Sequence, residues 1–198
     1  MAKKKKKTRK PGRAVPRPWL FRRLGIAFLL LLAGSLLWWI GAQSRTYAAF
    51  QEAARRGQPA LSRVEIFPEE GRVHLAPGER AAYRTDPPTS GPHSPESVPP
   101  GFYTTEQPPE RLVHSLEHGL VVIYYDDPGP EALQTLRAWA RMFNGPWDGI
   151  VVVPRPGLGR AVILTAWTRM LRLESWDPEA AAAFVDAFRG RGPERPVR

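Results

Sequence analysis

Residues 24–40, LGIAFLLLLAGSLLWWI, are seventeen consecutive positions without a charge, and this run limits every other reading of the chain. At ~1.5 Å rise per residue, a helix of this length is near the short limit for crossing a hydrocarbon core of ~30 Å. Trp19 before the run, and Trp38 and Trp39 at its end, suit the two interfaces, where amphipathic rings settle. Residues 1–23 hold eleven Lys and Arg and no acidic residue. That bias predicts a cytoplasmic N-terminus and residues 41–198 on the far side. A cleaved signal peptide is the competing reading. Its apolar core is usually shorter, and small residues mark its cleavage site. The segment GAQSRTYAAF after Ile40 has no clear A-x-A pattern, and the flanks of Arg22 and Arg23 fit a twin-arginine signal poorly. An uncleaved single-pass anchor in the lipid bilayer is therefore expected.

The net charge of +10 belongs to the tail. All six Lys lie within the first ten residues, and residues 41–198 carry 18 Arg against 19 Asp and Glu, a net of −1. A nucleic-acid surface needs its basic patch on the folded part, so no nucleic-acid partner is expected. Protein partners are not legible. The chain has no Cys, which excludes disulfides, thiolate metal sites and thiol nucleophiles.

Beyond the anchor, residues 45–57 read as a short helix closed by Gly57, a stalk leaving the membrane. Residues 64–67 and 72–75 read as strand and strand around the turn PEEG. Residues 86–101 contain six Pro and two Gly. Repeated Pro forbids regular helix and sheet, so this stretch is either a flexible linker or a rigid, well-packed loop. LVVIYY at 120–125, GIVVVP at 149–154 and RAVILTAW at 160–167 read as buried strands. Residues 130–143 form an amphipathic helix whose stripe is Leu133, Leu136, Trp139, Ala140 and Phe143. Residues 178–188 form a last helix with Asp177 as N-cap. This order predicts an α+β fold, a β-sheet covered by helices. The expected organisation is a basic cytoplasmic tail at 1–23, a transmembrane helix at 24–40 and a stalk at 41–62. An extracytoplasmic domain follows at 63–190, and a disordered tail at 191–198.

The four histidines, His74, His93, His114 and His118, all fall within 45 residues. His93 ends the Pro-rich loop, which can hold a side chain at low entropic cost. His114 and His118 lie in PPERLVHSLEHG, where Pro109 and Glu110 suit a first helical turn and Gly119 the C′ position. On that helix Leu112, Val113 and Leu116 make one face, and His114 and His118 project from the other, about 6 Å apart. As a strand the same residues would stand about 13 Å apart and could not share an ion. His93, His114 and His118 are therefore candidate ligands of one divalent metal, copper or zinc, with His74 a possible fourth. Glu117 is a candidate outer acceptor that orients a ring. The plain alternative is that the rings order the loop through hydrogen bonds, and for His74, in an expected strand, that reading is favoured. Met142 and Met170, and Trp139, Trp147, Trp167 and Trp176, read as core. Ser115 beside His114 is no evidence of a triad.

Three ordered segments resemble domain-of-unknown-function family 3105. They are Tyr83 followed by Asp86–His93 (DPPTSGPH), Gly101-Phe102-Tyr103, and Val113–Gly119 (VHSLEHG) with its following strand. The resemblance covers about 60–195 and includes Ala166-Trp167 and Pro193-Glu194. It implies a membrane-anchored bacterial protein and supports the domain boundary, but it implies no activity. Three function classes stay open: an extracytoplasmic metal-binding protein, a zinc-dependent hydrolase using Glu117 as base on the H-x-x-E-H pattern, and a non-catalytic partner-binding module.

Overall fold

The computed structural model describes the backbone of residues 18–198, and the side chains of these except residues 18–25, 27, 39, 40, 42 and 43. Most of the expected basic tail lies outside the described residues. The helices are α1 (Pro18–Arg56), α2 (Pro109–Glu117), α3 (Pro130–Met142) and α4 (Pro178–Phe188). The strands are β1 (Glu65–Ile66), β2 (Gly101–Phe102), β3 (Val121–Tyr125), β4 (Ile150–Pro154), β5 (Val162–Ala166) and β6 (Arg169–Leu173). The chain divides after Ala42 into two units.

In the first unit α1 carries the apolar run. Its described large apolar side chains between Ile26 and Trp38 are 50–70 % exposed. Among the described residues no helix is long and apolar enough to cross a membrane. The expected span over 24–40 therefore has no support here, and five of its side chains, at 24, 25, 27, 39 and 40, lie outside those described.

In the second unit all five residues of β3 are buried, which is what a central strand covered on both faces requires. The sheet order is β1-β6-β5-β3-β4-β2. β3 runs parallel to β4 and antiparallel to β5, and α3 makes the crossover from β3 to β4. Alternation along β3 splits the core. Val121, Ile123 and Tyr125 pack with Leu136 and Trp139 of α3 and Phe184 of α4. Val122 and Tyr124 pack with Leu112 and Leu116 of α2. The expected mixed α+β architecture is present. Pro begins α2, α3 and α4, where its missing N–H costs nothing. The Asp177 carboxylate accepts from the amides of Glu179 and Ala180 at 3.1 and 3.0 Å, as an N-cap should.

Three expectations need correction. Residues 72–75 do not pair with 64–67. β1 pairs instead with β6, and His74 makes an isolated parallel bridge to His93. The end of the expected stalk belongs to the core: Phe50 and Ala54 are buried, and Phe50 meets Trp139 and Phe143 edge-on at 5.2 and 4.7 Å. Residues 191–198, expected to be disordered, dock on the domain. The Gly190 amide donates to the Gly119 carbonyl at 2.7 Å and the Glu194 amide to the Glu117 carbonyl at 3.3 Å.

Candidate metal centre

The Pro-rich stretch is the rigid loop, not the linker. Thr89 and Ser90 are fully buried. The Thr89 carbonyl accepts from the Thr168 amide at 2.9 Å, and the Ser90 hydroxyl from the Glu70 amide at 3.0 Å. The Tyr83 hydroxyl donates to the Pro92 carbonyl at 2.8 Å. Gly91 adopts φ +124°, where a side chain is strained, and an added Cβ would meet the Tyr83 ring at 3.2 Å. The loop therefore delivers His93 at a fixed position, fully buried. Ser115 is structural: its hydroxyl lies 2.9 Å from the Val98 carbonyl and accepts from the Val98 amide at 2.9 Å.

Two backbone hydrogen bonds bring His74 to this ring. The Leu75 amide donates to the His93 carbonyl at 2.8 Å and the His93 amide to the Val73 carbonyl at 3.0 Å. The helix α2 forms as expected, and it presents His114 and Glu117, three positions apart, on one side. The three rings of His74, His93 and His114 form a triangle with centroid separations of 5.0, 5.2 and 4.9 Å. Glu117 joins them, and one ligand atom from each of the four residues lies within 4.8 Å of the others. His93, His114 and Glu117 are buried, whereas His74 is exposed. His74, for which the structural reading was favoured, thus stands beside the other three residues.

The tautomers follow from the acceptors. Nδ1 of His93 lies 2.8 Å from the Gly91 carbonyl, and Nδ1 of His114 lies 2.8 Å from the Ser94 carbonyl. A carbonyl only accepts, so each Nδ1 carries a proton, and in the neutral ring each Nε2 keeps its lone pair. Backbone carbonyls that hold one imidazole nitrogen so that the other can ligate are the usual support of a metal-binding histidine. Nε2 of His93 is buried and receives no hydrogen bond from the protein. It stands 3.0 Å from Oε2 of Glu117. Burial is the main force that holds the His114 imidazole below its ordinary pKa; the Ser94 carbonyl opposes it, and His118, His93 and His74 add to it. These surroundings favour the neutral, ligating form of His114.

His118 lies close to the cluster but faces another partner. Its ring meets that of His114 edge-on at 4.5 Å and stacks on Trp147 at 4.3 Å. Its Nε2 is 3.0 Å from Oε2 of Glu194. The expected trio of His93, His114 and His118 is thus two donor groups that share His114. Trp147 and Trp167 border them, and Trp167, partly buried, also packs against the core as expected. Trp167 stands edge-on to His93 at 6.5 Å, and its indole N–H donates to Glu69 at 3.1 Å. Met170 is buried and Met142 partly so, each against the core as expected. The sequence reading offered Glu117 as an outer acceptor or a general base, not as a ligand, and gave Glu194 no role. The signal for Glu194 was its place in the resembling segment, together with the glycines at 190 and 192 that let the backbone approach closely.

A family model described as "Protein of unknown function (DUF3105)" matches residues 74–198. The match begins at His74 and takes in every residue of both donor groups. No curated protein and no solved structure matches the chain.

Proposed function

This chain belongs to the DUF3105 family, whose description assigns no activity, and we propose that it is a metal-binding protein in which His74, His93, His114 and Glu117 hold one divalent ion, zinc or copper. The observation that carries this reading is the buried pair of His93 and Glu117. Two atoms bearing lone pairs face each other at 3.0 Å, and such a pair is repulsive unless a cation lies between them. A proton on His93 would relieve that one pair. A metal ion relieves it and also uses the lone pair of His114 and the ring of His74. Two ligand bonds of ~2.0–2.1 Å at an angle between right and tetrahedral place their donors roughly 3 Å apart, which matches this spacing. Three imidazoles and one carboxylate suit zinc or copper, and a softer thiolate site is unavailable without Cys.

The hydrolase reading is less well supported. It needs His114 and His118 as paired ligands and Glu117 free to activate water, but Glu117 faces His93 and His118 faces Glu194. For location, the reading is a single-pass anchor with the domain outside the cytoplasm. It is supported by the eleven basic residues before the uncharged run and by the exposed apolar side chains of α1. Reporter fusions after Arg45 test it: extracytoplasmic activity is expected, and cytoplasmic activity would overturn it. The metal reading is tested by elemental analysis of the full chain, purified in detergent and exposed to zinc or copper. About one ion per chain is expected, and His93→Ala should lose it. A wild-type chain without bound metal would leave the histidines a structural role.

A further inference from the structure

His118 and Glu194 form a second donor group with His114, whose ligand atoms all lie within 4.8 Å of one another. This group is built, not incidental. The His118 ring is held by its stack on Trp147 at 4.3 Å. Glu194 is brought by the docked C-terminal segment, through the Glu194 amide bond to the Glu117 carbonyl and the Gly190 bond to Gly119. That docking needs two glycines, because a Cβ on Gly119 would meet the Gly192 amide at 2.7 Å and a Cβ on Gly192 would strike the backbone of Glu117 and Gly119. The first group is buried apart from His74, which is exposed, and the second is open at both His118 and Glu194. The side chains of His118 and Glu194 are 19 % and 46 % exposed, against 0 % and 9 % for His93 and Glu117.

His114 sets the relation between the groups. Its Nδ1–H is held by the Ser94 carbonyl, so the ring offers one lone pair and can ligate one ion at a time. We propose that a single divalent ion has two positions in this protein: an inner one on His74, His93, His114 and Glu117, and an outer one on His114, His118 and Glu194. The ion moves between them by exchange of ligands around His114, with no change of oxidation state and no covalent step. The outer position is the one at which the ion exchanges with a ligand from solution. This inference rests on the metal reading above, and it adds a site that the reading does not require.

Copper(II) bound to the full chain in detergent reports the position through the number of nitrogen couplings in its paramagnetic resonance spectrum. One variant disables the inner group, His74→Ala with His93→Gln. Another disables the outer group, His118→Gln with Glu194→Gln. The outer-disabled chain should still bind one copper with a three-nitrogen spectrum. The inner-disabled chain should also bind one copper, with a two-nitrogen spectrum and weaker affinity, and adding His118→Gln should abolish that binding. Should His93→Gln prevent folding, His74→Ala with Glu117→Gln takes its place: the inner group then keeps two imidazoles and no carboxylate, so the copper bound should weaken further on adding His118→Gln. If the folded inner-disabled chain, in either form, shows no copper dependent on His118 while wild type binds one ion, the outer position does not exist and the inner site stands. If wild type binds no copper or zinc, the metal reading itself fails.

Discussion

The Nε2 atom of His93 lies 3.0 Å from Oε2 of Glu117, while the opposite nitrogen of the same ring donates to the Gly91 carbonyl at 2.8 Å. The two residues come from unrelated parts of the chain. His93 ends a Pro-stiffened loop, and Glu117 closes the short helix α2. Their approach depends on the sheet, because Leu112 and Leu116 of α2 pack with Val122 and Tyr124 of β3.

Val122 is the residue whose loss should separate the two most completely. It is fully buried in that layer. Val122→Asp puts an unpaired charge there, at a cost of about 3–5 kcal/mol. The full chain carrying it should fail to show a cooperative thermal transition in circular dichroism. An unchanged melting temperature would mean that β3 is not the centre of the core.

Gly119 links α2 to the C-terminal segment. It adopts φ +96°, and an added Cβ would lie 2.7 Å from the Gly192 amide and 3.0 Å from the Trp147 carbonyl oxygen. Gly119→Ala should therefore cost about 1–3 kcal/mol from backbone strain alone, measured by urea denaturation. It should also raise protease sensitivity after residue 190. Wild-type stability together with an intact C-terminus would contradict the docking described above.

How much of this could be read from the sequence differs by element. β3, β4 and β5 were legible as short continuous apolar runs, α3 by its apolar stripe and α4 by its Asp177 cap, all local signals. The spacing of His114 and His118 was legible for the same reason. β6 was not. It follows β5 through a turn at Trp167-Thr168, with Thr168 at φ 59°, an unusual conformation for a β-branched residue and one that lacks the usual Gly or Asn signal. Arg169 and Arg172 also break its apolar pattern. His74 entered only as a possible fourth ligand, and Glu194 escaped detection, because their positions are set at a distance. One depends on a bridge to His93, and the other on close packing of glycines around Gly119. Local pattern carries neither fact.

The His114 imidazole gives the metal-free protein a definite pH dependence. Burial, the largest cause, lowers its pKa in the folded state. The unfolded chain then binds more protons at this site than the folded one does, so stability rises with pH. This contribution is complete above the unfolded value of ~6.5 and is lost as the pH falls from there toward the lowered folded value. The melting temperature of the metal-free chain should drop between pH 7 and pH 5. His114→Gln, with no titrating ring, should drop less over the same interval. Equal drops in both would mean that His114 is not held neutral by its surroundings.

Three imidazoles and one carboxylate should meet on one ion. X-ray absorption at the zinc edge, on the full chain loaded with one equivalent of zinc, tests it most directly. A shell of four N and O ligands at ~2.0–2.1 Å is expected, with the multiple-scattering pattern of about three imidazoles, and His93→Ala should remove one imidazole or all of the bound zinc. A shell of oxygen ligands without imidazole scattering, or a chain that retains no zinc at all, would contradict it.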